Sequence, residues 1–243
     1  MVLSQGRVHL SKMDIRVLAS GSSGNAYYVG GESPLLLEAG IPFRRIQEAL
    51  NFKTFCLGGC LITHEHMDHA KAVKDMLKAG IDCCMSQGTA DALGIYHHHR
   101  LHIVRAGVQF QFYGWTVMPF ATKHDAAEPL GFLMQSGENK LLYATDTEYI
   151  PHTFQGLNYI LVECNFSMEI VKQRLGDGEL NRALWDRILR NHLSLETLID
   201  FLKANDLSAL REIWLLHLSN NNSSAKLFKR KIQEIAGVPV YIA

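Results

Sequence analysis

The stretch Thr63-His64-Glu65-His66-Met67-Asp68-His69 constrains this chain more than any other. It follows the short apolar run Cys60-Leu61-Ile62, which reads as the end of a buried strand. It precedes residues 70–78, whose spacing is helical. Three imidazoles and a carboxylate therefore crowd a strand-to-helix turn. Such ligands suit zinc, and they suit manganese or iron nearly as well. On extended backbone His64 and His66 point the same way and can share one ion. Asp68 and His69 lie half a turn further on and can hold a second. A lone histidine would read as a solvated loop residue, whereas this density of ligands within six positions reads as a metal site.

With 243 residues and 47% hydrophobic content, the chain can bury its own core as one α/β domain. Residues 1–13 read as an N-terminal tail and residues 14–243 as that single domain. The 24 basic and 24 acidic residues cancel, so no overall charge draws the chain to nucleic acid or to anionic membrane. A local basic stripe remains open to it. Cys56, Cys60, Cys83, Cys84 and Cys164 are odd in number and include an adjacent pair, which argues against a disulfide framework and for a reducing cytoplasm. No apolar run reaches the roughly 18 residues of a spanning helix, and residues 1–12 lack the apolar centre of a secretory signal. A cytoplasmic protein away from membranes is the expectation.

Along the chain, residues 14–19, 26–29, 35–37, 81–85, 108–112, 115–120, 140–144, 159–165, 211–219 and 238–242 read as strands. Helical spacing covers residues 42–50, 87–93, 166–190, 194–203 and 226–235, with Ser194 a natural N-cap. The Gly/Ser turn Ser20-Gly21-Ser22-Ser23-Gly24-Asn25 lacks the lysine and the following helix of a phosphate loop. Consecutive His97, His98 and His99 cannot all face one ion and read as a surface loop.

His64-Glu65-His66-Met67-Asp68-His69 resembles the His-x-His-x-Asp-His signature of the metallo-β-lactamase-fold hydrolases. That resemblance implies a four-layer αββα sandwich with the metals at one edge between two sheets. It also implies further ligands, each in order: His124 as third histidine on the first ion, Asp146 as the carboxylate bridging both ions, and His217 as last ligand of the second. Aspartate rather than cysteine as the later ligand separates the chain from zinc β-lactamases that use cysteine. Residues 19–25 resemble the opening of the YycJ/WalJ-like exonuclease branch. In the family counterpart of Glu38-Ala39-Gly40 an aspartate stands where this chain has Glu38. His192, in His192-Leu193-Ser194-x-Glu196, resembles the histidine that RNase Z-type nucleases keep near the scissile phosphate as proton donor.

The implied activity is that of a dinuclear phosphodiesterase, a 5′ to 3′ DNA exonuclease, using two divalent ions and a hydroxide bridging them as nucleophile. Two ions about 3.5–4 Å apart lower the pKa of a shared water toward 7 and neutralise charge on the phosphoryl oxygens. Asp68 and His192 are the catalytic candidates, and Ser22, Ser23, Asn25, Asn165 and Ser219 the candidate substrate contacts. Between Asp146 and His217 there is no room for the β-CASP domain of RNase J relatives. A nucleic-acid path would then use short loops and helix faces, with Arg44, Arg45, Lys71, Lys74 and Lys229-Arg230-Lys231 as candidates. Two other readings compete. One keeps the site for a small cyclic phosphodiester, lactone or thioester; the other is a non-enzymatic nucleic-acid-binding protein with a remnant metal site.

Overall fold

The computed structural model of the protein describes residues 12–243. One sheet contains β1 (Ile15–Ala19), β2 (Ala26–Val29), β3 (Leu35–Leu37), β4 (Gly59–Leu61), β5 (Cys83–Met85) and β6 (Leu101–Ile103), in space as in sequence. The first three strands pair antiparallel and the others parallel. Parallel neighbours need crossovers. These are supplied by α1 (Phe43–Ala49), by α2 (Met67–Ala70) with α3 (Val73–Lys78), and by α4 (Gln87–Ala92).

The other sheet runs from β7 (Phe110–Phe112) through β8 (Trp115–Ala121), β9 (Leu130–Ser136), β10 (Asn139–Ala144), β11 (Tyr159–Glu163) and β12 (Glu212–Leu216) to β13 (Val240–Ile242). Its first half is antiparallel and its second half parallel. Helices α5 (Met168–Gly176), α6 (Arg182–Asn191) and α7 (Leu195–Ala204) connect β11 to β12, and α8 (Ala225–Ala236) connects β12 to β13.

Alternation along the strands explains the layering. Leu35, Leu37, Leu141, Tyr143, Tyr159 and Leu161 pack between the sheets. Leu36 faces the opposite way, among Ile46, Val73 and Met76 of α1 and α3. Leu142, Ile160 and Val162 likewise turn outward onto Leu198 and Leu202 of α7 and Phe228 and Ile232 of α8. Strands buried on both faces read as unbroken apolar runs, as Leu35-Leu36-Leu37 does. The result is the expected αββα sandwich.

Several expected boundaries shift for local reasons. The helix over residues 70–78 breaks in two because the Ala72 N–H donates to Ala39 O, at 2.8 Å, and leaves the helical ladder. The helix over residues 166–190 is two helices. Gly178, at φ 73°, turns the chain between them, and the Asn181 side chain caps α6 by accepting from the Leu184 N–H. Of the expected tail, residues 1–11 lie outside the described residues. Met13, assigned to that tail, is instead buried in the core, with its N–H donating to Tyr159 Oη at 3.0 Å. No helix among the described residues is long and apolar enough to cross a membrane.

Candidate metal centre

The expected ligands leave the ends of strands along one edge of the sandwich. His64, His66, Asp68 and His69 follow β4, His124 follows β8, Asp146 follows β10 and His217 follows β12. Glu38, Asp146 and His217 all have left-handed backbone, at φ 64°, 46° and 51°. Each such residue costs about 1–3 kcal/mol, a strain that clusters at functional sites. The loop after β3 and the β1–β2 turn both hold the metal loop: Ala39 N of the first donates to His69 O and Asn25 N of the second to Asp68 O, both at 2.7 Å. Only glycine fits at position 40, where a Cβ would stand 1.7 Å from Asp68 O.

His64, His66 and His124 form one donor group. His66 Nδ1 lies 3.1 Å from His64 Nε2 and 3.2 Å from His124 Nε2. With zinc–nitrogen bonds of about 2.0–2.1 Å, nitrogens at adjacent corners of a tetrahedron stand about 3.3 Å apart, so this spacing fits a shared cation. The remaining ring nitrogens are held from outside. His64 Nδ1 is 2.8 Å from Thr63 Oγ1, and His124 Nδ1–H donates to Asn191 O at 3.0 Å. Such outer bonds fix the tautomer of a ligating histidine. Burial, reinforced by His69, pushes the His64 pKa well below its usual value and keeps the ring neutral, as a ligand must be.

Asp68, His69, Asp146 and His217 form a second group. His69 Nε2 lies 3.5 Å from Asp68 and 3.3 Å from Asp146, and His217 Nε2 is 3.6 Å from Asp68. His217 Nε2 is buried with no hydrogen-bond partner, while its Nδ1 lies 3.2 Å from Glu163. An orphaned, buried imidazole nitrogen 3.6 Å from the Asp68 carboxylate, with His69 and Asp146 beside it, is what a cation site requires, so the donor set fits divalent metal. The charge around it is strongly negative. Burial opposes a charged His217, yet Asp146, Asp68 and Glu163 outweigh it and push its pKa up to about 10. Burial also opposes a charged Asp146, and His217 and His69 outweigh it, holding the carboxyl well below the usual range.

Asp146 lies between the groups. Its Oδ2 is 3.9 Å from His64 and 3.6 Å from His124 on one side and 3.3 Å from His69 on the other, and its Oδ1 is 3.5 Å from His217. His192 stands beside the second group, with its ring stacked on that of His217 at 5.5 Å. Its Nδ1–H donates to Glu163 Oε1 at 2.6 Å. Burial lowers the His192 pKa, but the Glu163 carboxylate more than restores it and leaves it raised. A cavity of about 240 Å³ opens over the cluster, lined among others by Asp68, His124, Asp146, Arg187, His192 and His217.

The expected substrate contacts divide. Ser22, Ser23, Asn165 and Ser219 line a second cavity beside the cluster. Asn25 does not: it is fully buried, and its amide nitrogen is 3.1 Å from both His69 Nε2 and Asp68 O, so it supports the metal loop instead. His97 and His98 line a separate cavity of about 250 Å³ with Ile95 and Leu101.

The fold gives contacts to three residues whose roles sequence reasoning left open or missed: Glu163, which read only as able to reach the site from its strand end, Glu38, noted only as replacing the family aspartate, and Arg187. Glu163 is buried beneath His192 and His217. Glu38 accepts from the Tyr143 hydroxyl at 3.0 Å and the Thr63 N–H at 3.3 Å, and stands 3.7 Å from His69 Nδ1. The longer glutamate thus reaches the metal loop from the position where the family counterpart has aspartate. Arg187, which read as solvated helix surface, is the only lysine or arginine among the described residues lining the cavity over the cluster. An ion pair spaced across 29 residues, like Glu163 with His192, leaves no local pattern. Arg187 carries no signal at all beyond its helix.

The family described as the beta-lactamase superfamily domain matches residues 52–185, more than half of the chain, from just before β4 into α6. The exodeoxyribonuclease WalJ of Streptococcus pneumoniae is 30% identical over 228 residues, covering 87% of this chain and 83% of that protein. The exodeoxyribonuclease YycJ of Bacillus anthracis is 27% identical over 234 residues, covering 90% and 87%. Among solved structures, the metallo-β-lactamase-fold protein YhfI from Bacillus subtilis superposes with a TM-score of 0.72 over 96% of this chain and 97% of its own, at 13% identity, a likeness of fold alone. Fold, ordered donor groups and relatives agree, and the chain belongs to the β-lactamase superfamily as a metal-dependent hydrolase of its WalJ/YycJ branch.

Proposed function

We propose that the protein is a dinuclear phosphodiesterase that removes nucleotides from DNA ends in the 5′ to 3′ direction. The observation that carries the reading is Asp146, one carboxylate within 3.9 Å of imidazoles from both donor groups. DNA as the substrate is supported by the exodeoxyribonuclease names of its relatives, and the polarity rests on the resemblance of residues 19–25 to the YycJ/WalJ-like branch. His64, His66 and His124 would hold one ion, Asp68, His69 and His217 the other, and Asp146 both; the mixed nitrogen and oxygen donors suit zinc or manganese, and iron after them. When bound, the ions supply acidity to the attacking water and positive charge to the phosphoryl oxygens.

The chain's own groups do the rest. Asp68, whose side chain is 26% exposed toward the cavity, accepts a hydrogen bond from the attacking water and so orients it. Arg187 pairs with a non-bridging phosphate oxygen, as guanidinium groups do. His192 carries its outward proton on Nε2 and gives it to the departing oxygen, a step general acids accelerate about 10²–10⁴-fold. Glu163 holds the ring by its Nδ1–H and supports the imidazolium.

Incubation of end-labelled single- and double-stranded DNA with protein loaded with zinc, manganese, iron or magnesium tests the reading. Release of label from one end, abolished by a chelator, is the expected result. Absence of release with every metal contradicts it.

A further inference from the structure

The second cavity, of about 430 Å³, meets the first at Ser22, His192 and His217, which line both. Its lining differs in kind. Among the described residues it contains no lysine, arginine, aspartate or glutamate. One wall is the helix α6 face formed by Leu184 and Ile188, one turn apart, with Leu184 44% exposed. The opposite wall is polar: Ser22 and Ser23 from the β1–β2 turn, and Asn220 and Asn221 from the loop after β12, all four exposed. That loop is fixed from behind, since Asn222 accepts from Arg174 at 2.6 Å and its carbonyl accepts from the Ser167 N–H at 3.0 Å.

We propose that this cavity binds the nucleoside at the end of the substrate strand, its sugar and base, while the adjoining phosphodiester lies over the donor groups. The inference rests on the phosphodiesterase reading and deepens it. Apart from His192 and His217, which it shares with the first cavity, the lining offers a phosphate no counter-ion, so the charge of the strand belongs on the side of Arg187 and the donor groups. An uncharged ring system with polar edges fits both walls. Its flat face packs on the two aliphatic side chains, and its edges meet asparagine amides, which both donate and accept. The volume lies in the lower part of the roughly 300–1,000 Å³ range of small-ligand sites, room for one nucleoside rather than a length of strand. A pocket of that size beside the reacting bond admits a strand end and makes the unit of removal a single nucleotide.

Calorimetric titration of the intact protein with thymidine 3′-monophosphate, the corresponding base-free deoxyribose 3-phosphate and inorganic phosphate tests this without any turnover, since the phosphate that adjoins a 5′-terminal nucleoside is on its 3′ carbon. The nucleotide is expected to bind about tenfold or more tightly than the sugar phosphate, the effect of one base contact. Leu184→Ser and Asn221→Ala should each remove most of that preference while leaving phosphate affinity unchanged. Both side chains are exposed, so the variants keep the fold, checked by unfolding temperature. Equal affinity for nucleotide and sugar phosphate, or retention of the preference in both variants, overturns the assignment. If DNA proves inert while the nucleotide preference holds, the nuclease reading fails and the nucleoside pocket stands. If DNA is degraded and the preference is absent, the reverse follows.

Discussion

Asp146 and His192 stand a few ångströms apart and do different work. Asp146 has carboxylate oxygens within 3.9 Å of imidazoles of both donor groups, whereas His192 stacks on His217, lies with its ring 5.9 Å from that of His124, and is bonded to Glu163. Asp146→Ala is therefore expected to abolish turnover and to retain less metal. His192→Ala should keep its metal and lose about 10²–10⁴-fold in rate, the contribution of a proton donor. Single-turnover rates on end-labelled DNA, with metal content of the same samples, check this; equal residual rates in the two folded variants would contradict the roles. At this scale the sequence was most legible where ligands crowd into one turn. His64, His66, Asp68 and His69 announced themselves by density. His124, Asp146 and His217 each sit alone at a strand end and were readable only through likeness to a family pattern. Asn25 was misjudged because its neighbours are turn residues, while Gly24 and Gly40 let the chain fold its amide inward.

The elements that matter are the loops at the sheet edge, and the tightest is the crossing of the loop after β3 beneath the metal loop. Ala39 anchors it through a backbone bond to His69, and Gly40 N donates to Asn25 O of the β1–β2 turn, whose own N–H donates to Asp68 O. Gly40→Ala would drive a methyl group against Asp68 O and the Asn25 backbone, neither of which can yield without moving a donor. A loss of about 1–3 kcal/mol or more in stability is expected from overpacking of this kind, together with weakened metal binding. Denaturant unfolding and metal titration of the variant read both; unchanged values would contradict the crossing. The strands were legible as short apolar runs, because each inner face meets the other sheet and each outer face a helix. Helix ends were less so. The break at Ala72 comes from a tertiary bond to Ala39 that no local pattern encodes. The approach of α6 to the cluster likewise depends on where the whole connection packs, so nothing local marks Arg187 as facing the site.

Across the whole molecule the site joins the two sheets. His64, His66, Asp68 and His69 come from the first, and His124, Asp146 and His217 from the second. Ions held there tie together halves that otherwise meet through apolar packing, and ligands that bind only the folded state stabilise it by mass action. The architecture was readable through the likeness of the metal turn to the metallo-β-lactamase-fold signature. What that likeness could not give is the register that sets Glu163 against Leu216 and so brings its carboxylate beneath His192 and His217. The account as a whole depends on a pair of neighbouring cation sites sharing Asp146. Elemental analysis of protein saturated with zinc or manganese and then dialysed at neutral pH tests that most directly. Two ions per chain are predicted, with fewer in Asp146→Ala; one ion or none in the unaltered protein would contradict it.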